Sequence, residues 1–139
     1  MAIDAPDLIH ELRSHLFEWL PRQPWFDALE GEIDDITVIR TGGHFAGSSV
    51  LHWAGGAGGQ GVLMTGDTIT VVPDTRWMSF MYSYPNLIPL PARKVREIAA
   101  KVAPYPFERV YSAWWDRVCD KDAKARLAAS VERYIAALS

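Results

Sequence analysis

Two residues carry the clearest chemical signal in this sequence of 139 residues, His44 and Asp67. His44 lies in a Gly-rich turn, TGGHFAGS, whose small neighbours let a side chain approach a ligand closely. Asp67 directly follows a short apolar segment, so its carboxylate is expected at the rim of a sheet. An imidazole and a carboxylate form part of a ligand set for zinc, iron or manganese. Each residue also has a structural alternative, His44 as a turn donor and Asp67 as a turn cap, and both interpretations stay open.

The other three histidines favour structural roles. His10 and His15 are five residues apart, whereas the zinc-protease pattern needs a spacing of four to place both imidazoles on one helix face. His52 lies in the middle of a short predicted strand. A hydrogen bond to a neighbouring group is the simpler interpretation of that residue.

Composition narrows the class of protein. With 14 Lys and Arg against 17 Asp and Glu, the net charge of -3 disfavours nucleic acid as a partner. A single cysteine, Cys119, excludes an internal disulfide framework. No apolar run reaches the roughly 18 residues of a membrane helix, and the N-terminus lacks the basic start of a signal peptide. We therefore expect a cytoplasmic protein without a membrane partner.

The hydrophobic pattern predicts one domain, residues 1–139, in which residues 1–24 form an N-terminal helix and linker. The predicted order is a helix, a run of mostly antiparallel strands, a helix, a strand and a final helix. The predicted helices are 7–20, 91–102 and 121–138, and the predicted strands are 33–40, 49–53, 62–66, 68–72, 76–81 and 107–112. Helices would cover one face of such a sheet, and the other face needs a cover of its own.

Taken in order, the segments TGGHFAGSSVLHW and GVLMTGDTI resemble the second half of the metallo-β-lactamase-fold hydrolases. That family typically shows T-x-G-H-T-x-G-S, then a strand, a short loop and F-x-G-D. The matching residues are Thr41, Gly43, His44, Gly47, Ser48, Gly66 and Asp67. The resemblance runs from residue 33 to about residue 139. It implies an α/β (α+β-like) fold: half of an αββα sandwich, with a mostly antiparallel sheet and flanking helices.

The resemblance also implies roles for the two candidate residues. His44 corresponds to the single histidine ligand of the second half, and Asp67 to the carboxylate that bridges two metal ions. In the family the metal pair activates a water for attack on an ester, amide, thioester or phosphoester. The implied cofactor is zinc, or iron or manganese, and the implied substrate is a small molecule of unspecified identity.

The sequence departs from the family in its ligand set. The H-x-H-x-D-H motif of the first half is missing, so the resemblance implies that the chain begins after it. The last histidine of the family falls in YSAWWD, where Ala113 or Trp114 stands. Asp116 is a candidate replacement, although a structural turn with Arg117 explains it more simply. The site is therefore predicted to be partial, and absence of bound metal stays an alternative.

Two functional classes follow, and whether the chain is an enzyme stays open between them. The first is a relative of metal-dependent hydrolases that lacks a complete dinuclear metal site. The second is a non-catalytic scaffold for binding or homodimerisation. The uncovered face of the sheet favours a homodimer, with a covering helix 7–20 as the alternative. The residues predicted to form that face are Ile36, Val38, Val50, Leu63 and Val110. The aromatic segment 76–91 is predicted to line a pocket or a partner surface, or the edge of the core.

Overall fold

A five-stranded sheet forms the centre of residues 35–139, the part of the chain that this computed structural model describes. In chain order the strands are β1 (Ile36–Arg40), β2 (Ser49–Trp53), β3 (Val62–Gly66), β4 (Thr70–Val71), β5 (Met78–Ser79), β6 (Met81–Ser83), β7 (Ile88–Pro89), β8 (Arg109–Ser112) and β9 (Val118–Cys119). The main sheet has the order β1-β2-β3-β8-β9, and only the β3–β8 pair is parallel. Two small ribbons, β4–β5 and β6–β7, lie between β3 and β8 in the chain.

Two helices follow the ribbons, α1 (Ala92–Val102) and α2 (Ala123–Ala137), and an irregular helical turn, Gly56–Gly59, joins β2 to β3. The predicted mixed fold with a mostly antiparallel sheet and flanking helices is confirmed at this level. Helix 7–20 and the N-terminal segment 1–24 lie outside the described residues. Within residues 35–139 no helix combines the length and the apolar composition needed to cross a bilayer.

The segment between β3 and α1 differs from its prediction. Residues 76–81, predicted as one strand, form β5 and the start of β6, separated at Phe80. Phe80 is fully buried in the core, so the chain turns its side chain inward there instead of continuing one strand. Further along, β7 pairs with β6 to make a hairpin. Strand β9 has only two residues and left no pattern in the sequence.

Both helices bury the apolar stripe that the sequence predicts. Helix α1 buries Val95, Ile98 and Val102, which recur at helical spacing. Helix α2 buries Leu127 and Val131 on its stripe, together with Ala123 and Ser130. Leu138 follows the last helical residue and is 42% exposed.

The core lies between these helices and one face of the sheet. Val50, Leu63 and Val110 belong to it and are almost completely buried. The prediction that these three residues form an uncovered face of the sheet is therefore wrong. In the observed register Ile39, not Val38, pairs with Val50, so Ile36 and Val38 point to the opposite face. The prediction placed Ile36 and Val38 on the face of Val50, whereas the observed alternation of β1 places Ile39 there.

The face of the sheet opposite the core carries an apolar row. Register places Val38, Leu51, Met64, Tyr111 and Val118 side by side across all five strands. Val38 is 69% exposed, and Met64 and Tyr111 are about two-fifths exposed. We call these five residues the open-face row. An apolar row of this kind is typical of a surface that another polypeptide covers.

Candidate functional site

The carboxyl ends of three strands lie at the same end of the main sheet. Strands β1, β3 and β8 run in one direction, because β1 and β3 are each antiparallel to β2 and β8 is parallel to β3. The turn that carries His44 follows β1, and Asp67 directly follows β3. The loop with Trp114 and Asp116 follows β8. Loops at such an edge are where scaffolds of this kind place functional side chains.

The turn that carries His44 is closed by the Ser48 carbonyl. That oxygen accepts hydrogen bonds from the backbone N–H groups of Thr41, at 3.0 Å, and Gly42, at 2.9 Å. The Ser48 hydroxyl is fully buried and accepts a bond from the Phe45 backbone N–H at 3.4 Å. The Thr and Ser of TGGHFAGS therefore hold the loop closed, and its histidine extends from a fixed backbone.

The His44 imidazole is oriented by one hydrogen bond. Its Nδ1 lies 2.7 Å from the Met81 carbonyl oxygen. A carbonyl can only accept, so Nδ1 carries the hydrogen and Nε2 of the neutral ring keeps its lone pair. A backbone carbonyl bound to one imidazole nitrogen is the arrangement that fixes the ring of a metal-binding histidine. The half-buried ring also lies 5.6 Å from the ring of Tyr84, centroid to centroid.

The turn that carries Asp67 is tied to the turn that carries His44. The Thr68 hydroxyl donates to the Ser48 hydroxyl at 3.3 Å, and the Thr68 backbone N–H donates to Thr65 at 3.0 Å. Thr65 Oγ1 in turn donates to the Ile69 carbonyl at 2.6 Å. The Asp67 side chain itself is exposed. The two turns therefore form one hydrogen-bonded unit that leaves the carboxylate free to meet a ligand.

Tyr84 connects the same two turns from a third segment. Its ring packs beside His44, and its hydroxyl contacts Thr70 Oγ1 and donates to the Asp67 carbonyl at 3.4 Å. Burial raises the pKa of Tyr84 above its usual value, and the nearby Asp67 carboxylate raises it further, against the lowering effect of the Thr70 hydrogen bond. The phenol is therefore neutral at ordinary pH and acts as a hydrogen-bonding brace.

His44 and Asp67 line one cavity of about 360 Å³ at this edge. Its polar wall adds Ser48 and Thr68, and its apolar wall includes Val38, Leu51 and Met64 from the open-face row. The structure thus brings together the two residues that the sequence singled out. No group of three or more His, Cys, Asp or Glu side chains in residues 35–139 is placed to hold a metal ion.

The candidate third ligand does not join this cavity. Asp116 forms an ion pair with the adjacent Arg117, with 2.6 Å between Oδ2 and Nη1. It is absent from the residues that line the cavity within the described chain. Trp114 and Trp115 in the same loop are both largely exposed. The geometry favours the structural interpretation of Asp116.

His52 has the structural role that its position predicted. Its side chain is buried, its Nε2 lies 2.7 Å from the Pro106 carbonyl, and its ring packs 5.1 Å from the ring of Tyr105. His52 therefore joins β2 to the segment before β8.

Sequence reasoning missed Met81 and Tyr84, the residues that orient His44. The only signal was the aromatic segment 76–91, which contains both.

Comparison with known proteins yields one curated relative. The chain is 47% identical over 143 residues to the uncharacterized protein YmaE of Bacillus subtilis (strain 168). The alignment covers 99% of this chain and 51% of YmaE, so the chain spans about half the length of the curated relative that it matches. No family profile matches the chain, and no solved structure matches it.

Proposed function

We propose that this chain is a relative of the metal-dependent hydrolases and supplies part of a metal site through His44 and Asp67. One observation carries the proposal: the Met81 carbonyl holds Nδ1 of His44, which leaves Nε2 for a ligand in a cavity that Asp67 also lines.

The donor set fits a single divalent cation better than a pair. A neutral imidazole nitrogen and one carboxylate oxygen suit zinc, iron or manganese, and two donors leave most of a tetrahedral shell to other ligands. Such an ion, when bound, would activate a water for attack on an ester, amide, thioester or phosphoester. Other residues of the chain orient the two donor side chains. Met81 and Tyr84 fix the imidazole, and Ser48 and Thr68 fix the turn of Asp67.

The length of the relative supports a site that is shared with another module. The region matched here makes up 51% of YmaE, so that protein has about as much chain again. The sequence resemblance implies further ligands in a first half. The cavity borders the open-face row, on which such a half, or a second copy of this chain in its place, would pack. The proposal keeps the predicted half of an αββα sandwich and the predicted cytoplasmic location, which the single, buried Cys119 suits.

The second candidate function is a non-catalytic scaffold for binding or homodimerisation. The open-face row favours it, because a second copy could cover the row directly. The absence of a third donor in residues 35–139 favours it as well. The two candidates differ in whether the chain binds a metal ion.

Titration of the metal-free chain with Co²⁺ tests the proposal, because Co²⁺ reports its coordination through its absorption spectrum. We expect binding of at most one ion per chain and a roughly tenfold or larger loss of affinity for His44→Ala and Asp67→Asn. Asp116→Asn is the matched control, since it removes an exposed carboxylate at the same sheet edge. No Co²⁺ binding would leave the scaffold as the function. Two tightly held ions that depend on His44 would show a complete dinuclear site instead.

A further inference from the structure

A second cavity lies on the other side of His44, between its turn and the β6–β7 hairpin. It has a volume of about 530 Å³ and is lined mainly by His44, Phe45, Tyr82, Ser83, Asn86 and Ile88. We call it the aromatic groove. Its volume falls within the range of sites that bind small organic ligands, roughly 300 to 1,000 Å³.

The lining of the groove mixes exposed apolar side chains with the polar side chains of His44, Ser83 and Asn86. Phe45 is 61% exposed, Tyr82 57% and Ile88 45%. Large apolar side chains clustered at a concave surface mark ligand sites, whereas the same residues scattered singly would need no explanation. None of the lining residues is Lys, Arg, Asp or Glu. The groove therefore favours an uncharged ligand that presents a flat apolar face to two aromatic rings.

One fixed polar group lies at the wall of the groove. Asn86 donates its Nδ2 amide to Ser83 Oγ at 3.1 Å, and its backbone N–H points at the same oxygen at 3.4 Å. These bonds hold the Asn86 amide in place within the loop of the hairpin. A small number of oriented polar groups in an apolar wall is typical of pockets that bind a ligand in one orientation.

The groove and the cavity of the candidate metal site share part of their lining. His44 and Phe45 line both cavities. A molecule whose apolar part fills the groove would place its next bond beside the imidazole. Apolar contacts away from the reacting bond are the usual means by which an enzyme positions that bond.

We propose that the aromatic groove binds an uncharged aromatic group of a small-molecule substrate, with the bond to be cleaved at His44. The substrate class is an aryl or aromatic acyl ester, amide or thioester. This assignment of substrate rests on the proposed function, whereas binding of an aromatic group by the groove does not.

Titration of the ¹⁵N-labelled chain of 139 residues with 2-naphthol tests the groove by nuclear magnetic resonance. We expect saturable shifts at the amides of Phe45, Tyr82, Asn86 and Ile88. Tyr82→Ala and Ile88→Ala should each weaken binding by about fivefold through lost ring and methyl contacts. Trp115→Ala is the matched control, because it removes a fully exposed ring at the same edge of the sheet.

Three outcomes would contradict the proposal that the groove binds an aromatic group. They are no saturation at millimolar 2-naphthol, shifts confined to the open-face row, and unchanged affinity in both groove variants. The location of the shifts in the unsubstituted chain decides the matter even if a variant folds poorly. 2-Naphthol has no hydrolysable bond, so its binding needs no metal. Loss of Co²⁺ binding with intact 2-naphthol binding contradicts the proposed function alone, and the reverse result contradicts the groove alone.

Discussion

At the scale of single residues, orientation separates the candidate site from an ordinary pair of polar side chains. His44 was predicted from its own turn, but its ring is set by Met81, which is 37 residues further along the chain. A sequence does not show which backbone carbonyl will accept this hydrogen bond, because every residue type carries one. The candidate residue could therefore be predicted from its own turn, whereas the group that fixes its tautomer could not.

Gly43 is the residue whose replacement should most disturb the His44 turn. Its φ is +91°, and a Cβ there would lie 2.6 Å from Ile98 Cδ1 and 3.3 Å from Leu90 Cδ2. Both neighbours are buried in the core, so neither has room to move. We expect Gly43→Ala to lower the free energy of unfolding by about 2–4 kcal/mol, from backbone strain plus overpacking.

Gly42→Ala is the control for backbone strain alone. Its φ is +62°, and a Cβ there meets nothing within 4 Å. Urea denaturation should show a loss of about 1–2 kcal/mol for this variant. Equal losses for the two variants would mean that the contact with Ile98 does not constrain the turn.

At the scale of elements, one side chain of α2 ties down the hairpin that supports the site. The Tyr134 hydroxyl lies 2.7 Å from the Phe80 carbonyl and 3.0 Å from the Leu90 carbonyl. These two residues flank the β6–β7 hairpin on either side, and the Tyr134 ring packs against Phe80. The hairpin carries Met81, so helix α2 acts on the orientation of His44 through Tyr134.

Tyr134→Phe tests this connection. It keeps the ring and removes the hydroxyl, which leaves two carbonyl groups with one hydrogen-bond donor fewer. We expect a loss of about 1–2 kcal/mol in the free energy of unfolding, with faster amide hydrogen exchange concentrated in residues 81–89. Faster exchange spread evenly over the sheet and both helices would contradict a local role.

The same variant should change the stability of the chain at alkaline pH. Burial raises the pKa of Tyr134 above its usual value near 10. The folded state therefore keeps this proton where the unfolded state loses it, so its stabilising contribution is complete below pH 10 and declines as pH rises through the folded pKa. The unfolding free energy of Tyr134→Phe should decline less between pH 9 and 11.5 than that of the unsubstituted chain. Parallel declines would show that Tyr134 titrates alike in both states.

Elements with a strong local pattern could be predicted, and those formed by distant contacts could not. Helix α1 and strand β3 have clear apolar periodicity and clear ends, and both lie where the sequence placed them. The break at Phe80 depends on the core that its ring enters. The prediction that Ile36 and Val38 share a face with Val50 is wrong, because Ile36, Val38 and Ile39 make β1 apolar on both faces and its pattern does not show which face enters the core.

At the scale of the whole molecule, the open-face row and the candidate site are parts of one surface. Val38, Leu51 and Met64 belong to the row and also form the apolar wall of the cavity beside His44 and Asp67. A polypeptide that packs on the row would therefore also enclose the cavity. Water would be excluded from the candidate site only after such packing, so association and function are expected to be coupled.

A second copy of this chain is the cover that we expect, with the two rows related by a twofold axis. Sedimentation at micromolar concentration should then give about twice 15.6 kDa, the mass of one chain. Met64→Lys places a charge at the centre of the row and should yield the monomer, because burying an unpaired ammonium group is costly. Leu138→Lys is the matched control, since Leu138 is 42% exposed and Met64 41%, and Leu138 lies at the end of α2, outside the row. An unsubstituted chain that stays soluble and monodisperse at 15.6 kDa would refute the dimer, and dissociation by both variants alike would place the interface elsewhere.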